Sequence, residues 1–191
     1  MVDVDHHPLT ALDWEAAWAP YDAGTYQTAL AFIEPNDVVL DIGAGDLRFA
    51  RLAARRARQV FAIERNPGLL IRVPRATRRL TVLCADALKA ALPRSVTVAV
   101  LLMRHCQHFA EYVSRLRAAG CQRLITNARW GMGVECLSLA PQPSFRAAAP
   151  GWYACVCGRV GFKACAPECI TADMLQRDQS LENCPACSAT A

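Results

Sequence analysis

Short apolar runs alternate with amphipathic helical stretches along most of the chain. Five runs rich in Val, Ile and Leu have the length of buried strands, and they lie at residues 38–41, 59–63, 80–83, 96–102 and 122–126. Helices are predicted at residues 25–33, 47–58 and 107–119. This alternation predicts an α/β fold with a doubly wound, mostly parallel sheet and right-handed crossovers.

The pattern changes in the last third of the chain. A strand predicted at residues 134–139 is followed by a proline-rich link, and residues 152–156 are predicted to return as the antiparallel edge strand of a seven-stranded sheet. The last forty residues contain six of the ten cysteines. The sequence therefore predicts a main domain at 1–149, with an N-terminal helical lid, and a small cysteine-rich module at 150–191.

A glycine-rich turn follows the first predicted strand. In the sequence D-I-G-A-G, Asp41 ends the strand, and Gly43 and Gly45 allow the backbone to turn tightly and approach a ligand. Glu64 ends the second strand, at the spacing expected for a carboxylate that accepts both hydroxyls of a ribose. A dinucleotide fingerprint would have a third glycine in place of Arg48, which argues against NAD. The turn predicts a nucleotide-cofactor site.

The acid-x-G-x-G turn resembles the first motif of class I S-adenosylmethionine-dependent methyltransferases, and the resemblance extends over residues 20–139. Residues 80–89, L-T-V-L-C-A-D-A-L-K, are similar to that family's third strand and locally to a G-D-A-L-K run of rRNA adenine dimethylases. The resemblance implies a Rossmann-like fold, methyltransferase activity and S-adenosyl-L-methionine as cofactor. Those dimethylases have an N-L-P-Y-type motif after the fourth strand, where this chain has M-R-H-C-Q-H.

The resemblance also implies which residues contact the cofactor. They are Asp41, Gly43, Gly45, Glu64, Cys84, Ala85, Asp86, Met103, Tyr21 and Tyr26. Asp41 and the two glycines would surround the methionine and ribose, Glu64 would bind the ribose, and residues 84–86 would follow the adenine edge. The Met103 backbone would lie near the amino group, and the two tyrosines would cover the methionine end. Asp86 has a second interpretation, as a cap at the end of its strand.

His105 is the candidate catalytic residue. It follows the fourth predicted strand, where the resembling family places residues that face the acceptor, and imidazole exchanges a proton near neutral pH. A structural role at the start of a helix is the alternative. After the fifth strand, Asn127, Arg129 and Trp130 either bind substrate or belong to a loop that caps the sheet.

The interpretation of the paired cysteines in the last forty residues depends on the cellular compartment. The N-terminal sequence is acidic and polar, unlike a secretory signal, and no apolar run is long enough to span a membrane. The sequence therefore predicts a cytoplasmic protein without a membrane segment. In that compartment, paired thiolates are better interpreted as metal ligands than as disulfides.

The spacing of these pairs predicts one metal site. Cys155, Cys157, Cys184 and Cys187 are the predicted ligands of a structural zinc in a zinc-ribbon-like module closed around residues 160–163, with an iron–sulfur cluster as the rival. Cys165 and Cys169 either replace one pair, belong to a second incomplete site or are free.

Arginine is concentrated in the middle of the chain. The formal net charge is +4, yet residues 48–129 contain sixteen Arg and one Lys against three acids. An Arg-rich surface that includes Arg51, Arg55 and Arg58 could bind nucleic acid through its phosphates. The alternative is that these side chains form the solvated face of a helix whose alanines pack on the sheet.

Two functions of different classes are compatible with the sequence. The first is a methyltransferase that acts on a small molecule, RNA or protein and contains a structural zinc site. The second is a catalytically inactive methyltransferase-like zinc-ribbon protein that binds nucleic acid or a protein partner. The intact cofactor turn and Glu64 favour the first.

Overall fold

A computed structural model describes residues 23–70, 77–104, 106–130, 133–176 and 178–188. The strands of its main sheet are β1 (Val38–Ile42), β2 (Gln59–Glu64), β3 (Leu80–Cys84), β4 (Val98–Leu101), β5 (Arg123–Thr126) and β6 (Glu135–Ser138). The helices that flank these strands are α1 (Ala23–Ala31), α2 (Arg48–Arg56) and α3 (Phe109–Ala118). The strands and helices predicted for this part of the chain all occur, with their ends displaced by two residues at most.

The main sheet has the order β3-β2-β1-β4-β5-β6. Its first five strands are parallel, and β6 is antiparallel to β5. The predicted doubly wound, mostly parallel sheet is confirmed. The strand order reverses between β1 and β4, and ligands in such folds bind outside the carboxyl ends of the strands at that point. The turn after β1 lies there.

The two faces of the sheet are covered by different helices. Val39 packs in the apolar cluster that contains Ala50 and Ala53 of α2, whereas Leu40 packs in the cluster that contains Phe109 of α3. Because successive side chains of a strand point to opposite faces, β1 is buried on both sides. Ala50 and Ala53 of α2 are buried while Arg51, Arg55 and Arg56 are exposed, as the helical pattern predicts.

The prediction that residues 152–156 complete a seven-stranded sheet is wrong. Within the described residues the main sheet has six strands, and β7 (Gly151–Cys155) belongs to a second sheet with β8 (Val160–Lys163) and β9 (Asp178–Leu181). β8 pairs antiparallel with one edge of β7, and β9 pairs parallel with the other. The cysteine-rich tail therefore supplies the hydrogen-bond partners that the main sheet would have given to β7.

The second sheet packs against the main domain through both polar and apolar contacts. Arg117 of α3 donates to both carboxylate oxygens of Glu182 at 2.5 and 2.9 Å, and Asn183 forms an isolated bridge with Ser144. The short helices α4 (Ala172–Gln176) and α5 (Pro185–Ser188) complete the module. The division at residue 149 stays a prediction, because these contacts join both sides of it.

No helix within the described ranges has the length and apolar character needed to cross a membrane.

Candidate cofactor and metal sites

The glycine turn after β1 is held against the end of β2. Gly43 and Gly45 have φ angles of +70° and +55°, in the left-handed region that favours glycine. The N–H groups of Gly43 and Ala44 both donate to the Ile63 carbonyl oxygen, at 2.9 and 3.0 Å. A Cβ atom at Gly43 would overlap the side chain of Met103. The left-handed backbone favours glycine at position 43, and any larger residue there would also displace the end of the Met103 side chain.

Glu64 ties this turn to the segment after β2. Its carboxylate is buried, and Oε2 accepts a hydrogen bond from the Gly45 N–H at 2.9 Å while Oε1 accepts one from the Asn66 N–H at 2.7 Å. Each carboxylate oxygen has a second lone pair with which it can accept another donor. Glu64 can therefore hold the turn in place and accept ribose hydroxyls at the same time. Ribose binding itself stays a prediction.

Asp41 is a buried carboxylate whose hydrogen bonds are incomplete. The side chain is 4% exposed, and Oδ2 has no hydrogen-bond partner among the described residues. Burial, and secondarily the charge of Glu64, raise the pKa of Asp41 from its ordinary value of 3.8 to about 7. A buried carboxylate oxygen without a partner is costly. A cationic or hydrogen-bonding ligand at this position would remove that cost.

Asn127 is the second polar side chain with unpaired atoms at this edge of the sheet. It directly follows β5, is fully buried, and has no hydrogen-bond partner for either amide atom in the part of the chain that is described. Asp41 is in register with Val100 of β4, which is in register with Ile125 of β5. Asp41 and Asn127 thus lie at the carboxyl ends of strands on either side of β4.

The three residues predicted at the adenine edge lie at the end of β3. Cys84 is exposed, and the Ala85 N–H donates to the Glu64 carbonyl oxygen at 3.0 Å. The Asp86 Oδ1 atom accepts a hydrogen bond from the Leu88 N–H at 2.9 Å. Asp86 therefore caps the turn after β3, as its second interpretation proposes. Contact with adenine stays a prediction for all three.

The remaining predicted site residues have different positions. Met103 is half-buried, and its side chain lies against Gly43 of the glycine turn. Tyr26 packs against Phe49, with ring centroids 5.9 Å apart, so its ring belongs to the contact between α1 and α2. Tyr21 and the candidate catalytic His105 lie outside the described residues. Their roles stay predictions.

Four cysteines of the tail come together in one cluster. The Sγ atoms of Cys155, Cys157, Cys184 and Cys187 all lie within 4.8 Å of one another. Three of the separations are 3.6, 3.7 and 3.8 Å. Zinc–sulfur bonds of about 2.3 Å in a tetrahedron place the sulfurs about 3.8 Å apart, so the cluster fits a single tetrahedral ion. Cys165 and Cys169 do not belong to this cluster.

The electrostatic environment of the cluster also bears on metal binding. Burial raises the pKa of the Cys155 and Cys157 thiols above the ordinary value, because a low-polarity environment disfavours the thiolate. A bound divalent cation would reverse this preference and deprotonate coordinating thiols. The four cysteines that the sequence spacing predicts as ligands are the four that the structure brings together in one potential metal site.

A buried arginine connects the cluster to the main sheet. The Arg129 side chain has no exposed surface, and it donates to both carboxylate oxygens of Glu135 at 2.7 and 2.6 Å. Its Nη1 atom also donates to the Cys155 carbonyl oxygen at 3.2 Å, and the guanidinium lies 5.9 Å from the centre of the Phe109 ring. Arg129 therefore has a structural role between the loop after β5 and the cysteine cluster. Of the two interpretations, this favours the loop residue over the substrate ligand.

Two features of the site were missed by sequence reasoning. A Cβ atom at Gly158 would lie 3.3 Å from Phe109, so the C-x-C-G turn packs on the start of α3, a contact that the sequence pattern does not predict. Arg78 and Arg79 were not distinguished from other arginines. The sequence shows that they precede β3, but only the structure shows that Arg51 and Arg55 of α2 lie beside them.

The sequence matches a known family model over most of the main domain. The model of ribosomal RNA adenine dimethylases matches residues 26–128, which is more than half of the chain. No protein of curated function matches the sequence.

Solved structures resemble the chain over its main domain. The precorrin-6y C5,15-methyltransferase of Geobacter metallireducens is 20% identical, with a TM-score of 0.50 over 58% of this chain and 64% of that one. A dimethyladenosine transferase from Plasmodium falciparum is 18% identical, with a TM-score of 0.48 over 55% of this chain and 41% of that one. The 23S rRNA methyltransferase ErmE is 25% identical, with a TM-score of 0.47 over 56% of this chain and 46% of that one. The chain thus matches less than two thirds of the length of these structures.

Proposed function

The chain belongs to the ribosomal RNA adenine dimethylase family, and we propose that it transfers methyl groups from S-adenosylmethionine to a base of an RNA acceptor. Its main domain has the mostly parallel Rossmann-like sheet of S-adenosylmethionine-dependent methyltransferases. The observation that carries the proposal is the cofactor turn after β1, which is held by Glu64 and lies beside the buried carboxylate of Asp41.

The chain's residues would act mainly by binding and orientation. S-adenosylmethionine supplies a methyl group on a sulfonium, and transfer is an in-line displacement that needs donor and acceptor held in line. Glu64 would accept the ribose hydroxyls while it keeps the glycine turn in place. Asp41 would place a negative charge close to the cationic end of the cofactor. His105 would be the general base, if the acceptor has to lose a proton.

RNA is the acceptor class that the family match favours. The segment after β4, M-R-H-C-Q-H, differs from the N-L-P-Y-type motif that grips an exocyclic amine. The proposal therefore specifies an RNA base but not the atom that is methylated. The exposed arginines of the main domain would supply contacts to the phosphates.

We further propose that the four clustered cysteines bind one structural zinc ion. All four ligand positions would be filled by thiolates, so no position would remain open for a water nucleophile. The sulfur separations favour a single ion over a multi-iron cluster, in which bridging sulfides would spread the four ligands farther apart. The zinc would then order the tail and take no part in methyl transfer.

The direct test is a methyl-transfer assay with labelled S-adenosylmethionine. The protein should label ribosomal RNA and leave bulk protein unlabelled. Calorimetry should detect binding of S-adenosylhomocysteine but no binding of NAD. The alternative, a catalytically inactive RNA-binding protein, would bind RNA without labelling it. NAD binding in place of the sulfonium cofactor, or label found only in protein, would contradict the proposed function.

Asp41 should make cofactor affinity depend on pH. The pKa of its buried carboxyl is raised to about 7 in the free protein, whereas a neighbouring sulfonium should lower it in the complex. Binding below pH 7 should therefore release a proton, and affinity should rise about tenfold between pH 6 and 8 and then level off. Calorimetry in two buffers of different ionisation enthalpy would measure this. An equal rise in Asp41→Asn would exclude Asp41 as its source.

A further inference from the structure

An open groove lined by arginines lies at the outer edge of the main sheet. Arg51 and Arg55 of α2 form one wall, and Arg78 and Arg79, which precede β3, form the other. Ala54 and Leu80 supply the apolar part of the lining. We call this feature the arginine groove. It joins arginines that are more than twenty residues apart in the sequence.

The charge of the arginine groove is not neutralised by nearby acids. Among the described residues, none of its four arginines has a carboxylate oxygen within 4.0 Å, and all four are exposed. Other arginines of the main domain do form ion pairs, for example Arg117 with Glu182 and Arg123 with Asp37. Asp46 pairs with Arg48, and the charge of Arg51 acts on the Asp46 carboxyl only at longer range. The groove is therefore a concentrated site of positive charge.

The arginine groove is separate from the cofactor turn. α2 connects the carboxyl end of β1 to the amino end of β2, so its last turn lies at the amino edge of the sheet. Arg55 lies about 10 Å along the helix axis from the first residue of α2. Arg78 and Arg79 directly precede the first residue of β3, which also places them at the amino edge. A ligand in the groove would not occupy the cofactor site.

We propose that the arginine groove binds the phosphodiester backbone of the RNA acceptor and anchors it at a distance from the methylated base. This inference rests on the proposed function. Guanidinium groups donate in pairs to phosphate oxygens, and four of them facing one groove match an anionic strand. Among the described residues no aromatic ring lines the groove, so stacking with bases is not expected there. Binding should therefore depend on charge and be insensitive to sequence.

Salt dependence gives a quantitative expectation. Each phosphate neutralised on duplex RNA or DNA contributes about 0.9 to the slope of log affinity against log salt concentration. Replacing two groove arginines by glutamine should lower the magnitude of that slope by about 1.8. Over a fourfold change in salt concentration, the wild type should then lose about twelvefold more affinity than the variant.

Three double variants test the groove. Arg51→Gln with Arg55→Gln removes one wall, and Arg78→Gln with Arg79→Gln removes the other. The matched control, Arg56→Gln with Arg58→Gln, removes the same charge from exposed arginines at the end of α2 that do not line the groove. Glutamine retains good helix propensity, so α2 should persist in every variant.

The measurement is fluorescence anisotropy of a labelled RNA hairpin at several KCl concentrations. Both groove variants should show the reduced slope, whereas the control should match the wild type and all proteins should bind S-adenosylhomocysteine equally. Three results would overturn the proposal that the groove binds RNA. They are an unchanged salt slope in the groove variants, an equal reduction of the slope in the control, and no binding of the hairpin by the wild type. The proposed function fails separately, if the wild type labels no RNA.

Discussion

Replacing Cys184 by serine is expected to remove zinc from the purified protein and to disorder the residues after Pro150. Cys184 is buried, and its sulfur lies 3.8 Å from that of Cys157 and 3.7 Å from that of Cys187. A serine hydroxyl is a much poorer zinc ligand than a thiolate. Structural zinc contributes on the order of 10–16 kcal/mol of apparent binding free energy in zinc-finger peptides, so loss of one ligand should have a large effect.

If the cluster binds zinc as proposed, the tail should depend on the metal, because the tail's own core is small. Leu181 is fully buried, whereas four other large apolar side chains of the tail, Trp152, Val160, Ile170 and Leu175, are exposed. A segment that buries so little apolar surface cannot offset the entropy lost on ordering. Zinc content measured by mass spectrometry should fall from one equivalent per chain to none in the variant. Hydrogen exchange should then rise in β7, β8 and β9.

The matched control is Cys169→Ser, because Cys169 is exposed and lies outside the cluster. It should retain full zinc content. Cofactor binding should survive in both variants, because the glycine turn and Glu64 do not contact the cluster. Full zinc content in the Cys184 variant, or loss of zinc in the Cys169 variant, would show that other residues are the ligands. Iron with inorganic sulfide in the wild type would establish the rival cluster.

The Glu64→Ala variant should bind S-adenosylhomocysteine about a hundredfold more weakly than the wild type. The substitution removes the acceptor for two predicted ribose hydroxyls and also the acceptor for the Gly45 and Asn66 N–H groups. Loss of charged hydrogen bonds of this kind costs about 2.7 kcal/mol or more, which corresponds to a hundredfold change in affinity. The backbone contacts add a second cause, because the glycine turn loses its tie to β2.

A graded series separates these causes. Glu64→Gln retains one acceptor oxygen, so its loss of affinity should be about tenfold, between the wild type and alanine. Glu111→Ala removes an exposed acid from α3 and should leave affinity unchanged. Isothermal calorimetry measures all three variants, and circular dichroism verifies that each is folded. Wild-type affinity in Glu64→Ala would exclude this carboxylate from the cofactor site.

The sequence was sufficient to predict the six strands of the main sheet and the glycine turn after β1. Five apolar runs separated by amphipathic helices specify buried parallel strands, because only burial on both faces stabilises such runs. The D-I-G-A-G turn was predictable for a local reason, since glycine alone adopts the left-handed conformation at Gly43 without strain. The cysteine grouping followed from spacing, because two sulfurs in one tight turn can reach adjacent positions of a tetrahedron.

The tertiary structure decided where strand β7 pairs. Residues 151–155 have a strand pattern that is equally compatible with the edge of the main sheet and with a separate sheet. The outcome depends on β8 and β9, which follow in the sequence and pair with both edges of β7. Several distant segments can compete to pair with one strand, and the sequence of that strand alone does not show which of them will pair with it.

The tertiary structure also decided which polar side chains share a site. The burial of Arg129 beside Glu135 depends on how the loop after β5 packs against the second sheet, where Arg129 donates to the Cys155 carbonyl oxygen. The arginine groove exists because α2 lies beside the start of β3, which brings Arg51 close to Arg79. Local sequence determined the positions of the strands, the glycine turn and the close cysteine pairs of this protein, because backbone preference and side-chain spacing act over a few residues. Long-range packing alone determined the neighbours of each charge, since these come from segments far apart in the chain.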